Sequence, residues 1–158
     1  MSPDLRAKIT RAVVGGAMGI SLVLLPYLEG ERNKPYFDVA GIQTVCVGHT
    51  GHIEDRTYSP DECRAILNHD LQSAFGEIDR DVKVPLSPKT KAALASFTFN
   101  VGRTAFRKST LLRRINAGEG AAACDELLKW VYAGGRKVAG LLKRRQFERE
   151  LCIEGFQT

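Results

Sequence analysis

Two carboxylic acids and a hydroxyl stand at a spacing that would suit the hydrolysis of a glycosidic bond. Glu29, Asp38 and Thr44 follow one another in the pattern Glu-x8-Asp-x5-Thr. Such hydrolysis usually needs one acid that protonates the leaving oxygen and a second carboxylate that activates water or stabilises the oxocarbenium-like transition state. Glu29 follows a long apolar run, and apolar surroundings keep a carboxyl group protonated near neutral pH. The ordinary alternative is that both acids are solvated surface charges and that the threonine is a packing residue.

The residues around Asp38 and Thr44 predict a small β-hairpin or three-stranded sheet. The run PYFDVAGIQTVCVGHT has a turn signal at Ala40-Gly41, and strand-forming residues follow it. A hairpin would bring Asp38 and Thr44 together, and the threonine hydroxyl could then orient a water molecule.

Helix start and stop signals predict that the rest of the chain is mostly helical. Ser59-Pro60-Asp61-Glu62 combines an N-cap, a first-turn proline and a capping box. A tiny sheet beside a mostly helical domain belongs to the α+β class. The predicted helices begin at Ser59 and Ser87 and cover roughly residues 109–117, 121–133 and 142–154.

An uncharged apolar segment, AVVGGAMGISLVLLPYL, occupies residues 12–28. Its length is at the lower limit of about 17 residues for a transmembrane helix, and its many small residues make it weakly hydrophobic. Arg6, Lys8 and Arg11 precede it, which predicts that the N-terminus stays in the cytoplasm. Three interpretations stay open: a cleaved signal peptide, although no convincing cleavage site follows; a buried helix of a soluble core; or a releasable membrane anchor.

Composition indicates a single basic domain with few clues to its partner. The 158 residues carry a net charge of +5, which suits an anionic polymer such as nucleic acid, a membrane surface or a bacterial cell wall. We expect no nucleic-acid partner, because the basic residues do not alternate with aromatic residues in a known motif. The four cysteines show no metal-site spacing. Three disulfide connectivities are open, and proximity along the chain weakly favours Cys46–Cys63 and Cys124–Cys152.

Longer stretches resemble the phage lysozyme family, the glycoside hydrolases of the T-even phage type. LEGERNKPYFDVAGIQTVCVGHTG, which contains Glu-x8-Asp-x5-Thr, is similar to the active-site signature of that family. ALASFTFNVG and FRKSTLLRRINAG resemble its central helical region, and WVYAGGRKVAGLLKRRQFERELC resembles its C-terminal signature. The matches run in order from Leu28 to Cys152. The N-terminal segment resembles that of the signal-anchor-release (SAR) endolysins of lambdoid phages.

The resemblance implies a lysozyme-like fold and an activity. It implies cleavage of the β-1,4 bond between N-acetylmuramic acid and N-acetylglucosamine in peptidoglycan, with lysis of the host cell and without a metal or cofactor. Glu29 would be the general acid, Asp38 would assist the attacking water, and Thr44 would hold that water. The usual outcome in the family is inversion, which needs room for water between the acids.

Further residues are candidates for the substrate cleft by their position in the resemblance. Phe99, Ser109 and Thr50 fall where the family has cleft residues, although Phe99 could be a core residue and Ser109 a helix N-cap. We interpret His49 as a structural histidine with one hydrogen-bond partner. Trp130 could stack on a sugar but is more typical of a core position.

The basic cluster Lys143-Arg144-Arg145 predicts a solvated helix face that attracts the anionic cell wall. We expect a monomer whose partners are the peptidoglycan glycan strands and the host inner membrane.

The SAR resemblance predicts residues 1–28 as an anchor and residues 29–158 as the catalytic domain. While residues 12–28 span the inner membrane, the catalytic domain would be periplasmic and Glu29 would be held at the bilayer surface, away from Asp38. Release into the periplasm would complete the site. The segment contains no cysteine, which favours control by refolding over control by thiol exchange. Two alternatives are a secreted lysozyme whose mature N-terminus lies beyond about residue 26 and a non-catalytic wall-binding module.

Overall fold

Helices dominate the computed structural model, which describes residues 1–38 and 41–157. The prediction of an α+β fold with a small hairpin is confirmed, and within these ranges the hairpin at the site has two strands. The helices are α1 (Pro3–Ala12), α2 (Gly16–Glu29), α3 (Pro60–Asp81), α4 (Pro88–Val101), α5 (Arg103–Arg107), α6 (Thr110–Asn116) and α7 (Ala139–Phe156). The strands are β1 (Arg32–Phe37), β2 (Gln43–Cys46), β3 (Tyr132–Ala133) and β4 (Arg136–Lys137), and short 3₁₀ helices cover Val13–Gly15 and Gly120–Lys129.

The apolar N-terminal segment is packed against the rest of the protein. Its main helix, α2, buries Ile20, Leu24 and Leu25 completely. A 3₁₀ turn separates it from α1, and Gly16 after that turn has a φ of 62°, which favours glycine. The 27-residue stretch Pro3–Glu29 is also long and apolar enough to cross a bilayer by length and composition, since 18 consecutive residues within it have a mean hydropathy of 1.6. One sequence therefore suits both a packed and a membrane-spanning helix.

Helix α4 lies at the centre of the fold and packs against α2, α3 and α7. Small side chains alternate with large ones along it, which lets neighbouring helices approach closely. Its residues Ala92, Ala93, Leu94, Ala95 and Phe97 are completely buried. This helix is therefore the fixed frame against which α2 and α7 are held.

The serine-based helix starts are confirmed. Ser59 Oγ accepts a hydrogen bond from the Glu62 N–H at 3.2 Å, and the Glu62 carboxylate accepts one from the Ser59 N–H at 2.7 Å. Hydrogen bonds from Arg56 and from the Ser59 N–H lower the pKa of Glu62 to about 2. Ser87 likewise caps α4, whose last residue, Val101, is followed by Gly102 as the C-cap.

The predicted helix over Ala121–Ala133 is wrong. The chain winds as a 3₁₀ helix that ends at Lys129, and Tyr132–Ala133 then pairs with Arg136–Lys137. Gly134 and Gly135 both have positive φ, 55° and 75°, as a two-residue turn between antiparallel strands requires. These glycines form the turn of the β3–β4 hairpin, and α7 begins at Ala139, three residues earlier than predicted.

Both disulfides have the pairing that proximity along the chain favoured. Cys46–Cys63 joins β2 to α3 with a Cα–Cα distance of 5.1 Å. Cys124–Cys152 joins the second 3₁₀ helix to α7 with a Cα–Cα distance of 5.9 Å. The first bond connects the hairpin of the candidate site to α3, and the second lies within the main hydrophobic core.

Candidate active site

Glu29 is the last residue of α2, and its side chain is 25% exposed. Gly30 ends the helix with a φ of 73°, and its N–H donates to the Pro26 carbonyl at 3.0 Å. Tyr27, two residues before Glu29, contacts Phe147 of α7 edge to face, with ring centroids 5.7 Å apart. The end of α2 is therefore fixed against α7 while the Glu29 carboxylate keeps access to solvent.

A buried arginine of α7 holds the Glu29 carboxylate. Arg144 Nη1 donates to Glu29 Oε1. The same guanidinium donates through Nε to Glu148 Oε1 at 2.9 Å and through Nη2 to the Ser96 carbonyl at 3.0 Å. Because its donors point in three fixed directions, Arg144 gives Glu29 a defined position.

Glu148 lies behind Arg144 and is completely buried. Ser96 Oγ donates to Glu148 Oε1 at 2.7 Å, and Arg145 Nη1 donates to Glu148 Oε2. Arg145 also donates to the Trp130 carbonyl at 3.1 Å and to Asn100 Oδ1. Its buried environment lowers the pKa of Arg145, and the carboxylate of Glu148 opposes that change. A guanidinium stays charged under these conditions.

The prediction of a solvated face at Lys143-Arg144-Arg145 is wrong for both arginines. Lys143 is exposed, but Arg144 and Arg145 are 6% and 1% exposed and face α4. Glu148 lies four and three residues after them on the same helix, so one buried carboxylate accepts from both. The sequence signal that could have identified this network is that spacing, Arg-Arg-x-x-Glu.

The β1–β2 hairpin brings Asp38 and Thr44 together. Tyr36 pairs with Thr44, and the Asp38 N–H donates to the Ile42 carbonyl at 3.0 Å. The Asp38 carboxylate also accepts from the Ile42 N–H at 2.9 Å. Since alternate residues of a strand face the same side, this register places Asp38 and Thr44 on one face of the hairpin. Within the predicted turn, Ala40 lies outside the described residues.

Thr44 is 3% exposed, and its hydroxyl donates to the Ile42 carbonyl at 3.0 Å. Its oxygen keeps lone pairs that can accept a hydrogen bond. The Asp38 side chain is partly exposed. The hairpin therefore presents a carboxylate and a hydroxyl oxygen, the two groups that the sequence assigned to the attacking water.

Two of the predicted cleft residues belong to one region. A Cβ built on Gly48 would lie 3.6 Å from Phe99 Cε1, so the loop that carries Thr50 lies close to the Phe99 ring. Phe99 also lines a depression of about 320 Å³ between α3 and α4. Thr50 is exposed.

Ser109 acts as a helix cap. Its Oγ accepts from the Leu112 N–H at 3.1 Å, and the residue is 6% exposed. His49 is the structural histidine that we expected, with Nδ1 2.8 Å from Asp70 Oδ2. Trp130 is partly buried and packs edge to face on the core residue Phe97, with centroids 5.2 Å apart. Among the described residues, no group of three or more His, Cys, Asp or Glu could hold a metal ion.

Comparison with solved structures defines the class of protein. The chain superposes on a crystal structure of P22 lysozyme mutant L86M with a TM-score of 0.77 and 37% identity, over 84% of this chain and 94% of that one. It also shares the fold of the active form of P1 phage endolysin Lyz, with a TM-score of 0.79 and 23% identity, over 96% and 94% of the two chains. The fold is that of a lysozyme.

Sequence comparison defines the family. The phage lysozyme family model matches residues 27–148. A SAR-endolysin of Bacteriophage PS119 is 47% identical over 99% of this chain and 99% of its own length. The chain therefore belongs to the phage lysozyme family, and it is an endolysin of the muramidase type, a hydrolase that acts on peptidoglycan.

Proposed function

We propose that Glu29 is the general acid that protonates the leaving oxygen between N-acetylmuramic acid and N-acetylglucosamine. The observation that supports this role best is the position that the buried guanidinium of Arg144 gives its carboxylate, although this partner is charged and the sequence predicted apolar surroundings. A general acid must be held in one position and must also reach the substrate. Glu29 meets both needs, since it lies at a fixed helix end and remains partly exposed.

Asp38 and Thr44 act on the water in this proposal. Asp38 assists its attack and stabilises positive charge on the sugar, and the Thr44 oxygen accepts a hydrogen bond from it. An inverting enzyme keeps its two carboxyl groups about 6.5–9.5 Å apart so that a water fits between them. Phe99 and Thr50 line the cleft for the glycan. Ser109 contributes through the position of α6, because its hydroxyl already caps that helix.

The test compares Glu29→Gln with a matched control, Glu31→Gln. Glu31 is an exposed carboxylate two residues away on the chain. Loss of a general acid typically costs about 10²–10⁴-fold in rate, so we expect that loss for Glu29→Gln and near-normal activity for Glu31→Gln. Mass spectrometry of digested peptidoglycan should show reducing muramic ends without 1,6-anhydro products. Undiminished lysis by Glu29→Gln would contradict the proposal and favour a non-catalytic wall-binding module.

We further propose that the packed N-terminus is the released state of a membrane anchor. Residues 12–28 first lie in the host inner membrane with the N-terminus in the cytoplasm and the catalytic domain in the periplasm. In that state the end of α2, with Glu29, is at the bilayer surface and separated from Arg144. The hydropathy of Pro3–Glu29 and the SAR-endolysin relatives support this proposal.

Contacts of α1 explain how the released state is held. Arg6 pairs with both Glu150 and Glu154 of α7, and Lys89 Nζ lies 3.0 Å from Glu154. Leu5 and Ile9 of α1 are buried beside these pairs. Arg6 is one of the basic residues that keep the N-terminus in the cytoplasm before release. After release, its ion pairs hold α1 against α7. Released enzyme should contain residues 1–28 by intact mass, whereas a cleaved signal peptide would remove them.

A further inference from the structure

The charges behind Glu29 form a balanced buried cluster. Arg144 and Arg145 carry two positive charges, and Glu29 and Glu148 carry two negative charges when both are ionised. The side chains of Arg144, Arg145 and Glu148 are 7%, 1% and 0% exposed. When Glu29 takes up a proton, the cluster is left with one positive charge in surroundings that screen it poorly.

We propose that Glu148 is a positioning residue that, together with Arg145, sets the pH range over which Glu29 can act as an acid. Glu148 is separated from solvent and reaches Glu29 through Arg144. This inference rests on the proposed role of Glu29. It assigns a function to Glu148 and Arg145, which the proposed function leaves without one.

The geometry shows how Glu148 acts through Arg144. One guanidinium is shared between two carboxylates, with Nη1 on Glu29 and Nε on Glu148. Glu148 therefore takes part of the positive charge that would otherwise favour the ionised form of Glu29. Arg145 has the opposite effect on Glu29. Its positive charge is paired with Glu148, so Glu148 draws less of the positive charge of Arg144 away from Glu29.

The surroundings limit the number of groups that could have this effect. Within the described part of the chain, the hydrogen bonds of Glu29 and Arg144 lead to few titratable groups, and the groups that α4 contributes to this network are neutral. Those around Glu29 and behind Arg144 are Arg144, Arg145 and Glu148 of α7, Ser96 and Asn100 of α4, and Asp38 on the proposed arrangement of the hairpin.

Charge counting predicts opposite effects for two substitutions. In Glu148→Gln, protonation of Glu29 would leave two buried positive charges, so the alkaline limb of the pH–rate profile should move to lower pH. In Arg145→Gln, protonation would leave the cluster neutral, so that limb should move to higher pH. At charge separations of several ångströms, each displacement should be about one pH unit.

The double variant Glu148→Gln/Arg145→Gln restores the original charge count. Its alkaline limb should return close to the wild-type position, although its rate can be lower. Lys143→Gln is the matched control, since it removes an exposed positive charge adjacent to Arg144 and should leave the limb in place. A purely structural role for Glu148 would lower stability and activity without moving the limbs in opposite directions.

The experiment measures kcat on soluble glycan strands from pH 4 to 9 for these variants, with thermal unfolding in parallel. Unchanged limbs, or limbs that move in the same direction, would overturn the inference. If Glu148→Gln does not fold, Arg145→Gln still tests the inference, because it changes the charge of the same cluster by one unit in the opposite direction. Failure of this inference is distinguishable from failure of the proposed function, because only the latter predicts an active Glu29→Gln enzyme.

Discussion

At the scale of single residues, Arg144 lies between a buried carboxylate and a partly exposed one. Its Nε and Nη2 donors are occupied by Glu148 and Ser96, so Nη1 points to Glu29 without freedom to turn. Lysine carries one compact charge and cannot reproduce three directed donors. The identity of this residue as arginine is therefore as important as its charge.

We predict that Arg144→Lys lowers both stability and activity. Incomplete pairing of Glu148 leaves a buried charge without its partner, and breaking such a pair typically costs about 3–5 kcal/mol of unfolding free energy. Urea unfolding and lysis rates measure the two effects. Arg113→Lys, at an exposed position, is the control and should be neutral. Wild-type activity in Arg144→Lys would show that the direction of the donors is unimportant.

Sequence reasoning identified the candidate acids but missed the residue that holds one of them. Glu29, Asp38 and Thr44 lie within one short segment, so their spacing is visible in the sequence. Arg144 is 115 positions from Glu29, and a run of basic residues on a helix is usually solvated. The packing of α7 on α4, which no local pattern reveals, determines which arginines of that run are buried.

At the scale of elements, the turn between α1 and α2 distinguishes the packed state from a membrane-spanning helix. Local signals predicted the capped helices well, because a serine followed by proline determines a helix start by itself. They did not predict the bend at Val13–Gly15, since a run of apolar and small residues is equally consistent with one continuous helix. The bend depends on the close approach of α1 to α2.

We predict that Gly19→Ala traps the protein in the membrane. A Cβ at position 19 would lie 2.5 Å from the Ala12 carbonyl oxygen, so the bent form cannot be kept without a shift of α1. A straight transmembrane helix accepts alanine readily, because alanine is the better helix former. The released fraction after membrane depolarisation, measured by cell fractionation, should fall several-fold relative to the parent protein.

Gly15→Ala is the matched control for Gly19→Ala. It adds the same methyl group to the same segment, but a Cβ at position 15 has no atom within 4 Å and the backbone there has a negative φ. We expect near-normal release of this variant. Equal retention of both variants would show that hydrophobicity, and not the bend, controls release.

At the scale of the whole molecule, the first helix is joined to the last. Arg6 and Lys89 both contact Glu154, so α1 and α4 are connected to the C-terminal half of α7. The same α7 carries Arg144 toward Glu29. The two ends of the chain therefore meet on the helix that completes the candidate active site, and docking of α1 supports the position of α2.

Acid should weaken this docking. Burial would raise the pKa of Glu154, but hydrogen bonds from Lys89 and Arg6 outweigh it and lower the pKa below the ordinary 4.5. A carboxylate with a lowered folded-state pKa stabilises the fold above its unfolded pKa and loses that effect as pH falls through the folded value. We predict that α1 stays docked at neutral pH and opens increasingly below about pH 4. Hydrogen exchange of the Leu5 and Ile9 amides in the released protein measures this opening.

Arg6→Gln should remove part of that pH dependence, because Glu154 then has fewer partners that favour its ionised form. It should also raise exchange at neutral pH, because α1 loses its ion pairs with Glu150 and Glu154. Arg11→Gln is the matched control, since it removes a positive charge from another exposed position of α1. Its exchange profile should follow that of the parent protein. If both variants exchanged alike, the total positive charge of the N-terminus would explain the docking, and the pairing of Arg6 with Glu150 and Glu154 would not.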